Sequence, residues 1–338
     1  MTTHILPVTE QSLAWAKELI DAGEVVAFHT ETVYGLGADA ANDAAVKKVF
    51  ALKGRPADNP LIAHVHTSYD IARLVETPAW TARLRERFLP GPLTMVYPSK
   101  GNVSPFVSCG LPTLSLRVPS SPTAQAFLRA VDRPIAAPSA NRSKHVSPVT
   151  AQHVYDDFAG EIPLILDGGA CTGGIESTVL DCTGSVPLIL RAGLVTREMI
   201  AAEVGACEYY RMREGEKPKS PGMAYKHYAP ACRTAFFPSD DVEGALRCYR
   251  AEAGRGGSPV LLCEHAVALA YADCRLLDLG ATPEEMASNL YAHLRSGEKS
   301  ATLLIGVEPK ARGGVMDGVR NRLLRAFGQD ARENRHEA

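Results

Sequence analysis

No apolar run in this 338-residue chain approaches the roughly 18 residues that a membrane-spanning helix needs. The opening MTTHILPVTE lacks the basic and apolar regions of a signal peptide, so the cytoplasm is the default expectation. A basic coat is missing too. Lys and Arg number 36 against 38 Asp and Glu, and at a formal net charge of −2 any anion site must come from local clustering. The eight cysteines contain no C-x-x-C pair and no zinc-like rhythm, and they read as reduced and structural. His64-Val65-His66 invites a metal reading, but alternation sets both rings on one strand face with no neighbouring Cys or carboxylate to complete a site, so no metal ligands are named. No Walker A sequence exists, which excludes a P-loop. No Ser-His-Asp or Cys-His constellation is visible, which points to chemistry without a protein nucleophile. Internal repeats and low-complexity tracts are absent.

What is present fits two domains, by the rough prior of about 150 residues each. Thr9 to Ile20 carries apolar residues at helical spacing, with Gly23 as a stop before the strand-like EVVAFHT. Asn42 can cap a helix whose C-terminal end delivers Lys53 and Arg55 into a loop. Apolar runs beginning at Leu61, Leu93, Leu114, Pro134, Pro163, Ser177 and Pro187 alternate with helical stretches near residues 67–75, 78–88, 121–131 and 150–157. The mixture is α/β, with late strands too closely spaced to be all parallel. From Met212 to Pro230 the sequence turns charged and rich in Gly and Pro, as a linker does, but ends in the aromatic Tyr225-Lys226-His227-Tyr228. Strands and helices then alternate to about Phe327, predicting a smaller Rossmann-like sheet, and a charged tail follows. The expected division is 9–205 as a catalytic domain, 206–230 as linker and lid, 231–328 as a C-terminal domain and 329–338 as a tail.

Lys53-Gly54-Arg55, with Pro56 and Asn59-Pro60-Leu61 behind it, is the most informative stretch. Two cations flanking one glycine, followed by a stiff proline and an amide, suit a polyphosphate; the alternative is a solvated helix end. Arg117 lies in the alternating strand Leu114, Leu116, Val118, where it either snorkels to solvent or clamps the carboxylate of an amino acid with two hydrogen bonds. Ser139-Ala140-Asn141 after a short apolar run presents two neutral hydrogen-bonding groups, or merely forms a turn. Gly35-Leu36-Gly37 with Ala40 mimics a dinucleotide fingerprint, but the following ADAAND is turn-rich and the helix begins only near Asn42.

Read in order, Thr30-Glu31-Thr32-Val33-Tyr34-Gly35-Leu36-Gly37, KGRPADNPL from Lys53, SLRVP from Ser115, APSANRS from Ala137, Glu176-Ser177-Thr178-Val179, Leu190-Arg191-Ala192-Gly193 and SPGMAYKHYAP from Ser220 make the chain resemble the two-domain members of the YrdC-like threonylcarbamoyl-AMP synthases. The resemblance implies a twisted mixed sheet with a concave active face. It implies that Lys53, Arg55, Asn59, Thr113, Asn141, Ser147 and Arg191 serve ATP, with Tyr225 and His227 of the linker closing over it. Thr32, His64, Arg117, Ser139 and Ser177 would serve L-threonine, with Lys53 and Arg55 as the catalytic cations. His29, where family members often carry Pro, and Lys144, where Gly is frequent, depart from the pattern.

The activity so implied joins L-threonine, bicarbonate or CO2 and ATP, with Mg²⁺, into threonylcarbamoyl-AMP and pyrophosphate. A separate transferase would carry the product to tRNAs that read codons beginning with A, with tRNA itself a possible contact but tight nucleic-acid binding not expected. The rival reading is a non-catalytic RNA-binding protein using a basic face of Lys53, Arg55, Arg117, Arg142 and Lys144, though few aromatics are interleaved there for stacking. A carbamoyltransferase of hydrogenase maturation shares a related module but needs zinc-finger cysteines that are not here.

Overall fold

The computed structural model describes residues 1–211 and 228–328. The described residues divide into two compact units, one of 1–143 and 147–211, the other of 144–146 and 228–328. The first unit runs β1 (His4–Pro7), α1 (Glu10–Asp21), β2 (Val26–Phe28), β3 (Gly35–Asp39), α2 (Asp43–Lys53), β4 (Ile62–His64), α3 (Ala82–Phe88), β5 (Leu93–Pro98), α4 (Pro105–Ser108), β6 (Thr113–Arg117), α5 (Pro122–Val131), β7 (Ile135–Ala136), α6 (Ala151–Phe158), β8 (Leu164–Asp167), β9 (Thr178–Asp181), β10 (Leu188–Arg191), α7 (Arg197–Val204) and β11 (Glu208–Tyr209). Its eleven described strands form one mixed sheet in the order β1-β8-β2-β3-β7-β4-β6-β5-β9-β10-β11.

The helices begin where the sequence places their caps. Thr9 accepts from the Ser12 N–H in a capping box, and Asn42 accepts from the Ala44 and Ala45 N–H groups, filling donors a helix start leaves open. On one side of the sheet Ala16 and Ile20 of α1 and Phe127 and Leu128 of α5 bury against Val26, Phe28, Leu164 and Leu166.

Several elements differ from the sequence reading. Residues 67–75 yield only a 3-10 turn, Ile71–Arg73. The Asp70 side chain turns back to the Ala72 N–H, while Val75 bridges to Ser99 and the Glu76 N–H donates to the Pro98 carbonyl, so the chain is drawn into extended pairing. Gly35–Asp39 is a strand, antiparallel to β2. A Cβ on Gly37 would stand 2.7 Å from Ile135 Cγ2 and 2.9 Å from Phe28 Cε1, so the glycine serves close packing and not a phosphate loop. β1 lies ahead of Thr9 and β11 lies inside 206–230, each pairing in parallel at an edge of the sheet. His66 follows the end of β4 and turns to Asp132 at 2.9 Å, away from the strand pattern expected of it.

The second unit holds β12 (Arg233–Phe237), α8 (Val242–Gly254), β13 (Pro259–Cys263), α9 (His265–Ala270), β14 (Leu276–Asp278), α10 (Pro283–Ser300), β15 (Leu303–Val307) and α11 (Val315–Ala326). Its four described strands are all parallel, in the order β12-β15-β13-β14, with α8 and α9 among the elements closing its core. Alternating strands and helices of this length produce that layered arrangement.

Candidate active site

Register places the first group of side chains. His64 of β4 pairs with Arg117 of β6, and Arg117 with Thr94 of β5, so the three side chains share one face of the sheet. Ser115 and Thr113 alternate onto that face two and four residues back along β6, which sets Thr113 about 13 Å from Arg117 at the ordinary strand rise.

Arg117 is 3% exposed, which excludes the snorkelling alternative. Its Nη2 donates to Glu31 Oε1 at 2.8 Å, while the buried Nε meets no protein acceptor. A buried guanidinium donor left open costs free energy unless a ligand oxygen completes it. Burial alone would raise the Glu31 carboxyl, but the Arg117 charge and hydrogen bonds to it outweigh that and hold it below its usual range. Burial, with the Arg117 charge adding to it, pushes the His64 imidazole down to about 3, so the ring is neutral. Its Nδ1 faces the Ile62 carbonyl at 3.0 Å and its ring meets Phe28 edge-on, leaving it both packed and within the row. Thr94 Oγ1 lies 2.8 Å from Ser177 Oγ, and Arg191 donates from Nε and Nη2 to the Ser177 carbonyl at 3.1 and 3.0 Å. Thr32 is fully buried, its hydroxyl 3.0 Å from that of Thr30.

The second group surrounds the end of α2. Gly54 takes a left-handed C-cap at φ 60°, which glycine adopts without a Cβ penalty. Lys53 is 3% exposed and is no solvated helix end. Its ammonium donates to the Ser139 carbonyl at 2.5 Å and to that of Asn141, so the cation expected at a phosphate also holds the Ser139–Asn141 turn in place. Within that turn Ser139 Oγ donates to Asn141 Oδ1 at 2.6 Å, and Ser139 bridges Gly35. Arg55 donates to the Asn59 and Pro60 carbonyls at 3.0 and 2.9 Å. Asn59 is 1% exposed, and both its Oδ1 and Nδ2 lack a protein partner. An amide buried with neither end satisfied is the second mark of a ligand position. Ser147 donates to Glu176 Oε1 at 2.7 Å.

The fold thus brings Lys53, Arg55, Asn59 and Asn141, all expected at ATP, together around the end of α2, and His64, Arg117 and Ser177, expected on the carboxylate side of the amino acid, into a second cluster. Arg191, expected at ATP, bonds Ser177 of the carboxylate side. Two carboxylates carry structure at these groups and received no role from the sequence: Glu31 and Glu176. Both stand inside quoted motifs, and the only signal was an acid beside hydroxyl residues. Tyr225 and His227 lie outside the described residues.

The chain is thus a mixed-sheet α/β protein with a buried Arg117 guanidinium on the sheet face and a buried Asn59 amide near the end of α2, each short of protein partners. Residues 18–193 match the Sua5/YciO/YrdC family, described as telomere recombination, and residues 195–328 match the threonylcarbamoyl-AMP synthase C-terminal domain. The chain is 40% identical over 336 residues to the threonylcarbamoyl-AMP synthase of Bacillus subtilis, covering 96% of each, and 38% identical to that of Pyrococcus abyssi, covering 96% of this chain and 98% of the other. The crystal structure of P. abyssi Sua5 complexed with L-threonine superposes with a TM-score of 0.87 at 35% identity and 97% coverage of both chains. Escherichia coli YciO, at 21% identity and a TM-score of 0.51 over 57% of this chain and 95% of its own, shares the fold. The chain belongs to the threonylcarbamoyl-AMP synthase family, as a two-domain member.

Proposed function

We propose that the protein synthesises L-threonylcarbamoyl-AMP from L-threonine, bicarbonate or CO2 and ATP, releasing pyrophosphate, as the first step of threonylcarbamoyladenosine formation in tRNAs reading codons that begin with A. The observation carrying this reading is the buried Arg117 guanidinium, whose Nε meets no protein acceptor, on the same strand face as Thr113. The family names of relatives along nearly the whole chain support it.

In this reading Arg117 receives the threonine carboxylate, with Thr32, His64, Ser139 and Ser177 around the rest of the amino acid. The threonine ammonium gives up two protons to solvent as its nitrogen bonds to CO2 carbon to give a carbamate. A carbamate oxygen then attacks the α-phosphorus of ATP, and the bond to the pyrophosphate oxygen breaks. Arg55 and Lys53 carry positive charge to the phosphates, with Asn59, Thr113, Asn141, Ser147 and Arg191 orienting the nucleotide. Neutral His64 adds no second positive charge beside Arg117. Among the described residues no group of three or more His, Cys, Asp or Glu side chains could hold a metal. Mg²⁺ would accompany ATP and supply charge neutralisation at its phosphates.

Pyrophosphate release by purified protein, with each substrate omitted in turn, tests the proposal. Release should need both threonine and bicarbonate, and Arg117→Ala should raise the KM for threonine roughly 10- to 150-fold, the cost of a charged hydrogen bond. ATP left intact in every mixture, with RNA bound at low salt, would replace the synthase by the RNA-binding reading.

A further inference from the structure

Among the described residues the Arg117 side chain bonds to Glu31, and Glu31 is itself anchored at several points. Glu31 leaves one oxygen on Arg117 Nη2 at 2.8 Å, and its other oxygen faces the Ser121 N–H at 3.4 Å. The Glu31 carbonyl accepts from the Gly173 N–H at 2.7 Å, where a Cβ on Gly173 would stand 2.9 Å from that same oxygen. Behind the Ser121 end stands His29, whose Nδ1 lies 2.8 Å from Ser121 Oγ and 2.9 Å from Thr123 Oγ1. A long arginine side chain has much rotamer freedom to lose, so a fixed carboxylate that restricts it before a ligand arrives reduces what binding must order.

We infer that Glu31 is a positioning residue for the amino-acid substrate: through Nη2 it holds the buried Arg117 guanidinium in place while Nε is left without a protein acceptor, so that the guanidinium's remaining hydrogen-bonding capacity is kept for the substrate carboxylate. The inference rests on the reading of Arg117 as the threonine anchor. A carboxylate beside a carboxylate-binding arginine also neutralises the pair before substrate arrives. A zwitterionic amino acid keeps that balance on entering, whereas an amino-acid analogue lacking the ammonium brings an uncompensated negative charge next to Glu31. Glu31 thereby favours α-amino acids over the corresponding 2-hydroxy acids.

The test is calorimetric titration of L-threonine and of ATP, each alone, into the wild type, Arg117→Ala, Glu31→Gln and Glu31→Asp, with steady-state kinetics alongside. Glu31→Gln should weaken threonine at least tenfold, keep ATP affinity within about twofold, and raise the KM for threonine far more than it lowers kcat. Glu31→Asp, whose carboxylate is withdrawn by one methylene but still charged, should recover part of the loss. If Glu31→Gln yields no folded protein, Glu31→Asp carries the same comparison, weakened for threonine and not for ATP. Equal losses for both ligands would make Glu31 a general structural residue and overturn the inference. Threonine affinity unchanged or tighter in Glu31→Gln, while Arg117→Ala destroys it, would overturn the inference and leave the synthase reading standing. A wild type that takes up no threonine would end both.

Discussion

His64 shows how one residue's setting becomes a measurable property of the protein. Its imidazole is held near 3 in the fold against an ordinary 6.5, chiefly by burial, so as pH falls below 6.5 the unfolded chain binds a proton the native state refuses. Stability from this group is complete above pH 6.5 and is lost as pH falls towards 3, amounting to about 2 to 3 kcal/mol between pH 6.5 and 4.5. Glu31, lowered from 4.5, and His29, lowered by burial, act in the same direction, but the Glu31 contribution falls mainly below that window. His64→Asn should flatten the fall in melting temperature across pH 6.5 to 4.5, and an unchanged slope would mean that other groups carry it. Lys53, Arg117 and Asn59 stood out in the sequence because a charge or amide in a short motif has few uses, and all three are buried in the fold. Glu31 did not, because a carboxylate's worth depends on which arginine a distant strand brings to it, 86 residues along the chain.

At the scale of elements, what sequence reasoning could see was governed by how local the determining forces are. α1 and α2 were readable from their caps and apolar spacing, since those interactions lie within a turn of the residue concerned. Residues 67–75 and β3 were not, because pairing partners elsewhere in the sheet decide both. Gly37 makes this testable. Its missing Cβ leaves room for the Phe28 ring and Ile135 from two flanking strands, so Gly37→Ala forces the sheet apart and should destabilise the first unit by about 1 to 3 kcal/mol. Denaturant melts with unchanged m-value and a lowered midpoint would bear this out; a neutral substitution would mean that the strands relax freely there.

Across the whole molecule, each unit draws its core from its own segments, and the described site residues belong by number to the first. A ligand that binds only the folded first unit stabilises it by mass action, by about 2.7 kcal/mol at a hundred times its dissociation constant. Amides that exchange only through opening of the first unit's core should then slow by roughly a hundredfold in saturating L-threonine. Amides of β4 and β6, which carry His64 and Arg117 in register and are buried at those residues, should be among them. β13 and β15, in the second unit's parallel sheet, provide an internal reference in the same sample. Slowing confined to β4, β6 and their neighbours agrees with a threonine site on that sheet face. Slowing of both sheets alike would mean that threonine stabilises the chain by a route other than Arg117, and repeating the exchange with Arg117→Ala separates the two, since that variant should lose the effect in β4 and β6 at the same ligand concentration.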